Sequence, residues 1–147
     1  MTDRAEEIMQ CLIEVASTLG LPVEVDRRYP LSIDGQTEGT PSDLPLVIVR
    51  SGSQSAENPD YKQWTTKWRM KPYIVVALQD HDDPDALRVE ANRIWLDFLR
   101  ALKASRLPRL LADREVPNLA CDIKPQPGRP DVTMMVMSVE VVFNRDL

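Results

Sequence analysis

The sequence predicts a single α+β domain over residues 1–147, in which a mostly antiparallel or mixed β-sheet is packed by two α-helices, with long loops between elements. Three observations predict it. Residues 3–19 and 83–103 place apolar side chains at helical spacing. Five other stretches alternate apolar and polar residues, or run continuously apolar, over strand length. The order is helix, strands, helix, strands, and two helices on one sheet is the economical packing of that order.

Composition is compatible with this. With 147 residues the chain is long enough to bury a core, and 43% apolar against 28% charged residues argues against wholesale disorder. The 12 prolines against 5 glycines suggest stiff, extended loops. A net charge of −5 gives no overall field to attract nucleic acid, although local basic patches remain open. The start, M-T-D-R-A-E-E, has no apolar signal core, and no run of about 18 apolar residues occurs, so neither a secretory leader nor a membrane span is expected. Cys11 and Cys121 lie in apolar-patterned segments and read as buried free thiols, with a disulfide the alternative.

In the first helix, Asp3 and Glu6 have capping-box spacing, and Ile8, Leu12, Val15, Ala16 and Leu19 make one stripe. Gly20 and Pro22 stop it. L-P-V-E-V reads as a short strand with Val23 and Val25 on one side, and residues 26–43 as a turn-rich connection. L-P-L-V-I-V-R, residues 44–50, is apolar without alternation, as a strand covered on both faces would be. The small polar residues 51–61 read as an exposed mobile loop.

From Trp64 the chain alternates. Trp64, Thr66, Trp68 and Met70 point one way, and Thr65, Lys67, Arg69 and Lys71 the other. Pro72 cannot donate to a ladder, so a bulge, a bend or an edge is expected there, with two strands meeting at a kink as the alternative. Tyr73 to Leu78 is denser in apolar residues and should enter the core. Asp83, Pro84 and Asp85 are an N-cap, a first-turn proline and a dipole-complementing acid for the second helix. Its stripe is Leu87, Ala91, Ile94, Trp95, Phe98 and Leu102. A connector with a helical turn near Arg109 to Ala112 follows. Residues 118–124 and 132–145 then read as a hairpin, with Met135, Met137, Val139, Val141 and Phe143 forming one wholly apolar face.

Catalytic templates find little support. The single histidine, His81, lies in an acidic helix-entry turn, where a turn role is the simpler reading than a catalytic base. Asp80, Asp82, Asp83 and Asp85 around it do not have calcium-loop spacing, and capping explains Asp83 and Asp85 without metal. No phosphate-cradling glycine loop and no zinc or redox cysteine pair is present, so no cofactor is expected and the chain does not read as an enzyme. The one local positive feature is the row Lys67, Arg69 and Lys71, with Arg50 and Lys62 as companions. Trp64 and Trp68 interleaved with it raise the idea of stacking on single-stranded nucleic acid, but alternation puts them on the opposite face. A solvated strand face or an interface between subunits are the other readings.

The elements I-M-Q-C-L-I-E-V, L-P-L-V-I-V, K-W-R-M-K-P-Y-I-V-V-A-L, the acidic turn into D-A-L-R-V-E-A-N-R-I-W-L-D-F-L-R-A-L, and the terminal V-E-V-V-F-N-R together resemble the tail terminator, or tail completion, proteins of long-tailed bacteriophages. The resemblance rests on element order across most of the chain. It implies a virion structural protein at the head-proximal end of the tail, assembled in the host cytoplasm. Such subunits form a homo-oligomeric ring, usually a hexamer, that caps the tail tube, ends its polymerisation and offers the interface for head joining. The implied partners are further copies of the chain, the tail tube protein and a head-completion or neck protein. DNA would pass through the ring without specific binding, and no membrane is involved. A neck or head–tail connector subunit shares much of this design and is the alternative, as is a small nucleic-acid-binding module using the basic strand 62–71. Lys67, Arg69, Lys71, Arg50 and Lys62 are the expected subunit or tube contacts.

Overall fold

The last strand, β7 (Arg129–Arg145), is the axis of the fold. In the computed structural model, which describes residues 3–25, 46–57, 66–79, 83–126 and 129–145, β7 pairs on both sides along much of its length. On one side it meets β6 (Asn118–Gln126) antiparallel. On the other it meets β5 (Tyr73–Gln79) and then β4 (Thr66–Met70), also antiparallel. The remaining strands are β1 (Val23–Val25), β2 (Leu46–Arg50) and β3 (Gln54–Glu57). β2 pairs antiparallel with β5, β3 antiparallel with β4, and β1 parallel with β2. The result is a mixed seven-stranded sheet in one α+β domain, as the sequence predicts.

β4 and β5 lie end to end. Met70 opposes Val141 and Tyr73 opposes Ser138, so the register against β7 does not change across Lys71 and Pro72. The strand breaks at Pro72 as expected, β4 ending at Met70 and β5 starting at Tyr73, and the neighbouring strand is bulged opposite the break. Three residues, 51–53, face the two residues 71–72, which is a β-bulge separating β2 from β3. Gly52 sits in the bulge with φ +67°, and a Cβ there would lie 1.9 Å from the Lys71 carbonyl oxygen. Ser53 O accepts from Lys71 N at 2.9 Å, and Pro72 O accepts from Val139 N at 3.0 Å. The ladder therefore passes a residue with no N–H at the loss of one bond.

β3 corrects the expectation of a mobile loop over 51–61 at residues 54–57, while residues 58–61 lie outside the described residues. Its residues Q-S-A-E are polar and half-exposed, so they carry no apolar period, and the strand exists because β4 offers it a partner. The hairpin also runs further than expected. β6 continues to Gln126 and β7 starts at Arg129, with a register shift at Pro125/Gln126. Because Val139 turns its N–H toward Pro72, the even-numbered residues of β7 face β6, and the odd-numbered residues of β6 turn their backbone outward. Pro125 is one of these, so it forgoes no ladder bond.

Both main helices cover one face of the sheet. α1 (Arg4–Ser17) contributes Ala5, Ile8, Met9, Leu12, Val15 and Ala16, all buried. α2 (Pro84–Ala104) contributes Ala91, Ile94, Phe98 and Leu102. They meet Val47, Val49, Met70, Ile74, Val76 and the predicted apolar face of β7, whose five residues are at most 1% exposed. α2 begins as the sequence indicates: the Asp83 carboxylate accepts from Asp85 N at 3.0 Å, with Pro84 in the first turn. Ser105 ends it, its hydroxyl donating to Leu102 O and accepting from Leu107 N at the start of α3 (Leu107–Leu110). That turn lies two residues earlier than expected. α1 departs from the capping-box reading, because Asp3 makes no side-chain cap bond and its carboxylate goes to Arg145 of β7. The opposite face carries a smaller apolar cluster, Leu46, Ile48, Val75 and Met134, with Tyr73 and Val136 against it. β2 is thus buried on both faces, as its continuous apolar run predicts.

Candidate partner-binding surface

Two sets of side chains project from the β3–β4–β7 end of the sheet, one on each face. On the face turned from the helices stand Lys67, Arg69 and Lys71, because alternate residues of β4 share a face. Their neighbours are set by register. Ser55 opposes Arg69 and Glu57 opposes Lys67 on one flank, and Glu140 of β7 lies diagonally across on the other. The Arg69 guanidinium binds Glu57 through Nε and Glu140 through Nη1, the latter at 2.6 Å. Asn118 of β6 donates to the second oxygen of Glu140 at 3.4 Å. One arginine thus ties three adjacent strands together, and Asn118 extends the tie to a fourth.

The electrostatics follow from this geometry. The hydrogen bonds that Arg69 donates to Glu57 and then to Glu140 hold its pKa above its already high ordinary value. The Arg69 hydrogen bond holds the Glu140 carboxyl below the usual carboxylate range, helped by Asn118 and by the charge of nearby Lys71. Lys67 lies 3.9 Å from Glu115. The row read as a positive feature is therefore largely balanced within the chain. Reversing Arg69 would set a third negative charge between two carboxylates, so such a change acts on the sheet itself. Arg50 opposes Tyr73 at the end of β2, on the same face. Lys62, and Trp64 with it, lie outside the described residues.

Trp68 points to the helix face, as alternation predicts, and packs against the core. Arg145 closes over it, with the guanidinium carbon 4.7 Å from the Trp68 ring centroid and 5.1 Å from that of Phe143. The same guanidinium binds Asp3 at 3.1 and 3.0 Å and Gln54 at 2.8 Å. Trp68 therefore does not present an open stacking platform, and the indole N–H is buried without a hydrogen-bond partner.

The sequence reading missed the groove at the other end of α2. Leu99, Leu102 and Lys103 of α2, Leu107 and Pro108 of α3, Pro117, and Leu119 of β6 line an open apolar groove of about 360 Å³. Val116 beside it is 79% exposed. Its signal in the sequence is the unusual density of cations around it. Arg100, Lys103, Arg106, Arg109 and Arg114 stand against one acid, Asp113, a net of +4 over residues 100–114 in a chain of net −5.

Among the described residues no group of three or more His, Cys, Asp or Glu side chains could hold a metal ion. Asp80, His81 and Asp82 lie outside them. Cys11 and Cys121 are free thiols; Cys11 is buried, whereas Cys121 is half-buried, which corrects the expectation for it. Burial, then the charge of Asp122, pushes the Cys121 thiol up and away from nucleophilic character. No described helix is long and apolar enough to cross a membrane. No protein-family model matches the chain, and no curated protein matches its sequence.

Proposed function

We propose that the chain is a structural subunit of a phage virion that assembles into a homo-oligomeric ring, caps the tail tube, ends its polymerisation and presents the interface for head joining. The observation that supports this is the order and packing of elements. An N-terminal helix, an early buried strand, a long strand interrupted at Pro72, a 21-residue helix and a terminal hairpin make one mixed sheet with its two main helices on one face. This is the element order on which the resemblance to tail terminators rests. Lys67 and Lys71, exposed on the helix-free face, are the residues we assign to contact with the tube. A neck connector subunit is the second reading, since the same ordering supports it. The nucleic-acid module is not favoured, because Arg145 covers Trp68 and two carboxylates engage Arg69.

Native mass across a concentration series, with negative-stain imaging of large species and of purified tail tubes incubated with the protein, tests the reading. A closed ring of about six subunits, free or at one tube end, is the expected result. A monomer that neither assembles nor decorates tube ends overturns it. A ring that binds heads but not tubes would instead select the neck connector.

A further inference from the structure

α2 is charged oppositely at its two ends. Within residues 83–90, Asp83, Asp85 and Glu90 stand against Arg88, a net of −2. Residues 100–114 carry the net +4 described above. Twenty-one residues span about 31 Å, so the two charge sets sit toward opposite ends of α2. Each end also exposes an apolar feature. At the acidic end Val89 is 61% exposed, beside Asp85 and Arg88, which pair at 3.3 Å. At the basic end is the leucine- and proline-lined groove with Lys103 on its wall. Arg106 is taken up by Glu14 at 3.2 Å, while Arg100 and Arg109 stand exposed on the turns that carry the groove. The helix dipole accounts for acids in the first turn and Lys103 in the last. It does not account for an exposed valine at one end and an apolar groove at the other.

We propose that this groove receives the acidic, Val89-bearing turn at the start of α2 from a second copy of the chain, so that copies join head to tail. A projecting apolar side chain would enter an apolar recess, and the net −2 segment 83–90 would lie against the net +4 segment 100–114. The two contacting patches differ and lie at opposite ends of one helix. The contact is therefore heterologous, and it closes into a ring when the rotation between neighbours divides a full turn. This rests on the ring reading above and names the surface by which neighbours meet.

The test is a pair of cysteines, Val89→Cys and Pro108→Cys, in a Cys121→Ser chain under mild oxidation, read on a non-reducing gel. Both sites are exposed, and the unfolding midpoint of each variant checks that the fold is intact. The expected result is a ladder of cross-linked species beyond dimer, because every chain carries both halves of the contact. Mixing the two chains that each carry one of the introduced cysteines should stop at dimers, since Cys11 is buried. Val89→Cys chains dimerising by themselves would indicate a two-fold contact and overturn the inference. Rings that form without any cross-link would overturn it while leaving the ring reading in place. A wild-type chain that forms no oligomer, free or on tubes, removes both. Independently, Lys103→Glu should raise the concentration needed for assembly by at least about tenfold, and adding Asp85→Lys to it should restore most of the loss. Unchanged assembly by Lys103→Glu counts against the contact.

Discussion

The two faces of the sheet, where β4 crosses β7, are held by different physics. On the helix side Met70, Val139, Val141 and Phe143 are at most 1% exposed, and the chemistry is burial. On the other side, the same strands present Lys67, Arg69 and Glu140, and the chemistry is hydrogen-bonded charge in partial contact with water. One face derives its strength from removing surface from water and tolerates no hole. The other derives its order from geometry, and solvent screens much of its energy. Substitutions on the two faces should therefore differ in size and in their response to pH.

The largest expected effect is on the buried face. Phe143→Ala empties a fully buried site between the helices and the sheet and should cost about 3–5 kcal/mol of stability, read from urea unfolding. A loss under about 1 kcal/mol would mean that the helix layer does not close on β7 as described.

Next in size is the bulge that lets the two faces continue past Pro72. Gly52→Ala combines a left-handed backbone with a Cβ 1.9 Å from the Lys71 carbonyl oxygen, and should cost at least about 2 kcal/mol. Gly20→Ala is the control. Its φ is +73°, but nothing lies within 4 Å of the added Cβ, so the backbone term of about 1 kcal/mol stands alone. Equal losses at the two sites would remove the steric part of the account.

Arg145 closes the helix face at its open end. It covers Trp68 and Phe143 and fixes Asp3 at the start of α1, with its side chain 15% exposed. Arg145→Ala should cost about 1–2 kcal/mol and shift tryptophan emission to the red as the Trp68 ring meets water. Unshifted emission would show that the ring is covered by something else.

The comparison also explains what the sequence made legible. The buried face could be read from period two alone, because residues such as Met137 and Val139 on β7 and Ile94 and Phe98 on α2 declare their environment by type and spacing. The charged face could not. Glu140 lies 71 residues from Arg69, and only the strand register puts them in contact. β3 was invisible for the same reason, since Q-S-A-E has no apolar alternation and owes its conformation to β4. Asp3 misled because local spacing suggested a cap while a long-range arginine claimed the carboxylate. The groove was hidden because Leu99 and Leu119 belong to a helix and a strand, and neither period reports the gap between two elements.

The smallest effect, and the one that separates the faces most cleanly, is in the pH dependence at Glu140. Its folded-state pKa is depressed, chiefly by the Arg69 hydrogen bond. A depressed carboxyl contributes stability that is present above its unfolded value, about 4.3, and is lost as pH falls through the folded value. Glu140→Gln removes that contribution without removing the side-chain oxygen that Arg69 reaches. Wild type should therefore unfold at higher urea than the variant at neutral pH, and the difference should close as the medium is taken well below about pH 4. Phe143→Ala, whose loss is apolar, should keep its difference from wild type across the same range. If the Glu140→Gln difference also stays constant with pH, the contact with Arg69 stabilises by shape rather than by charge, and the two faces differ less than their residues suggest.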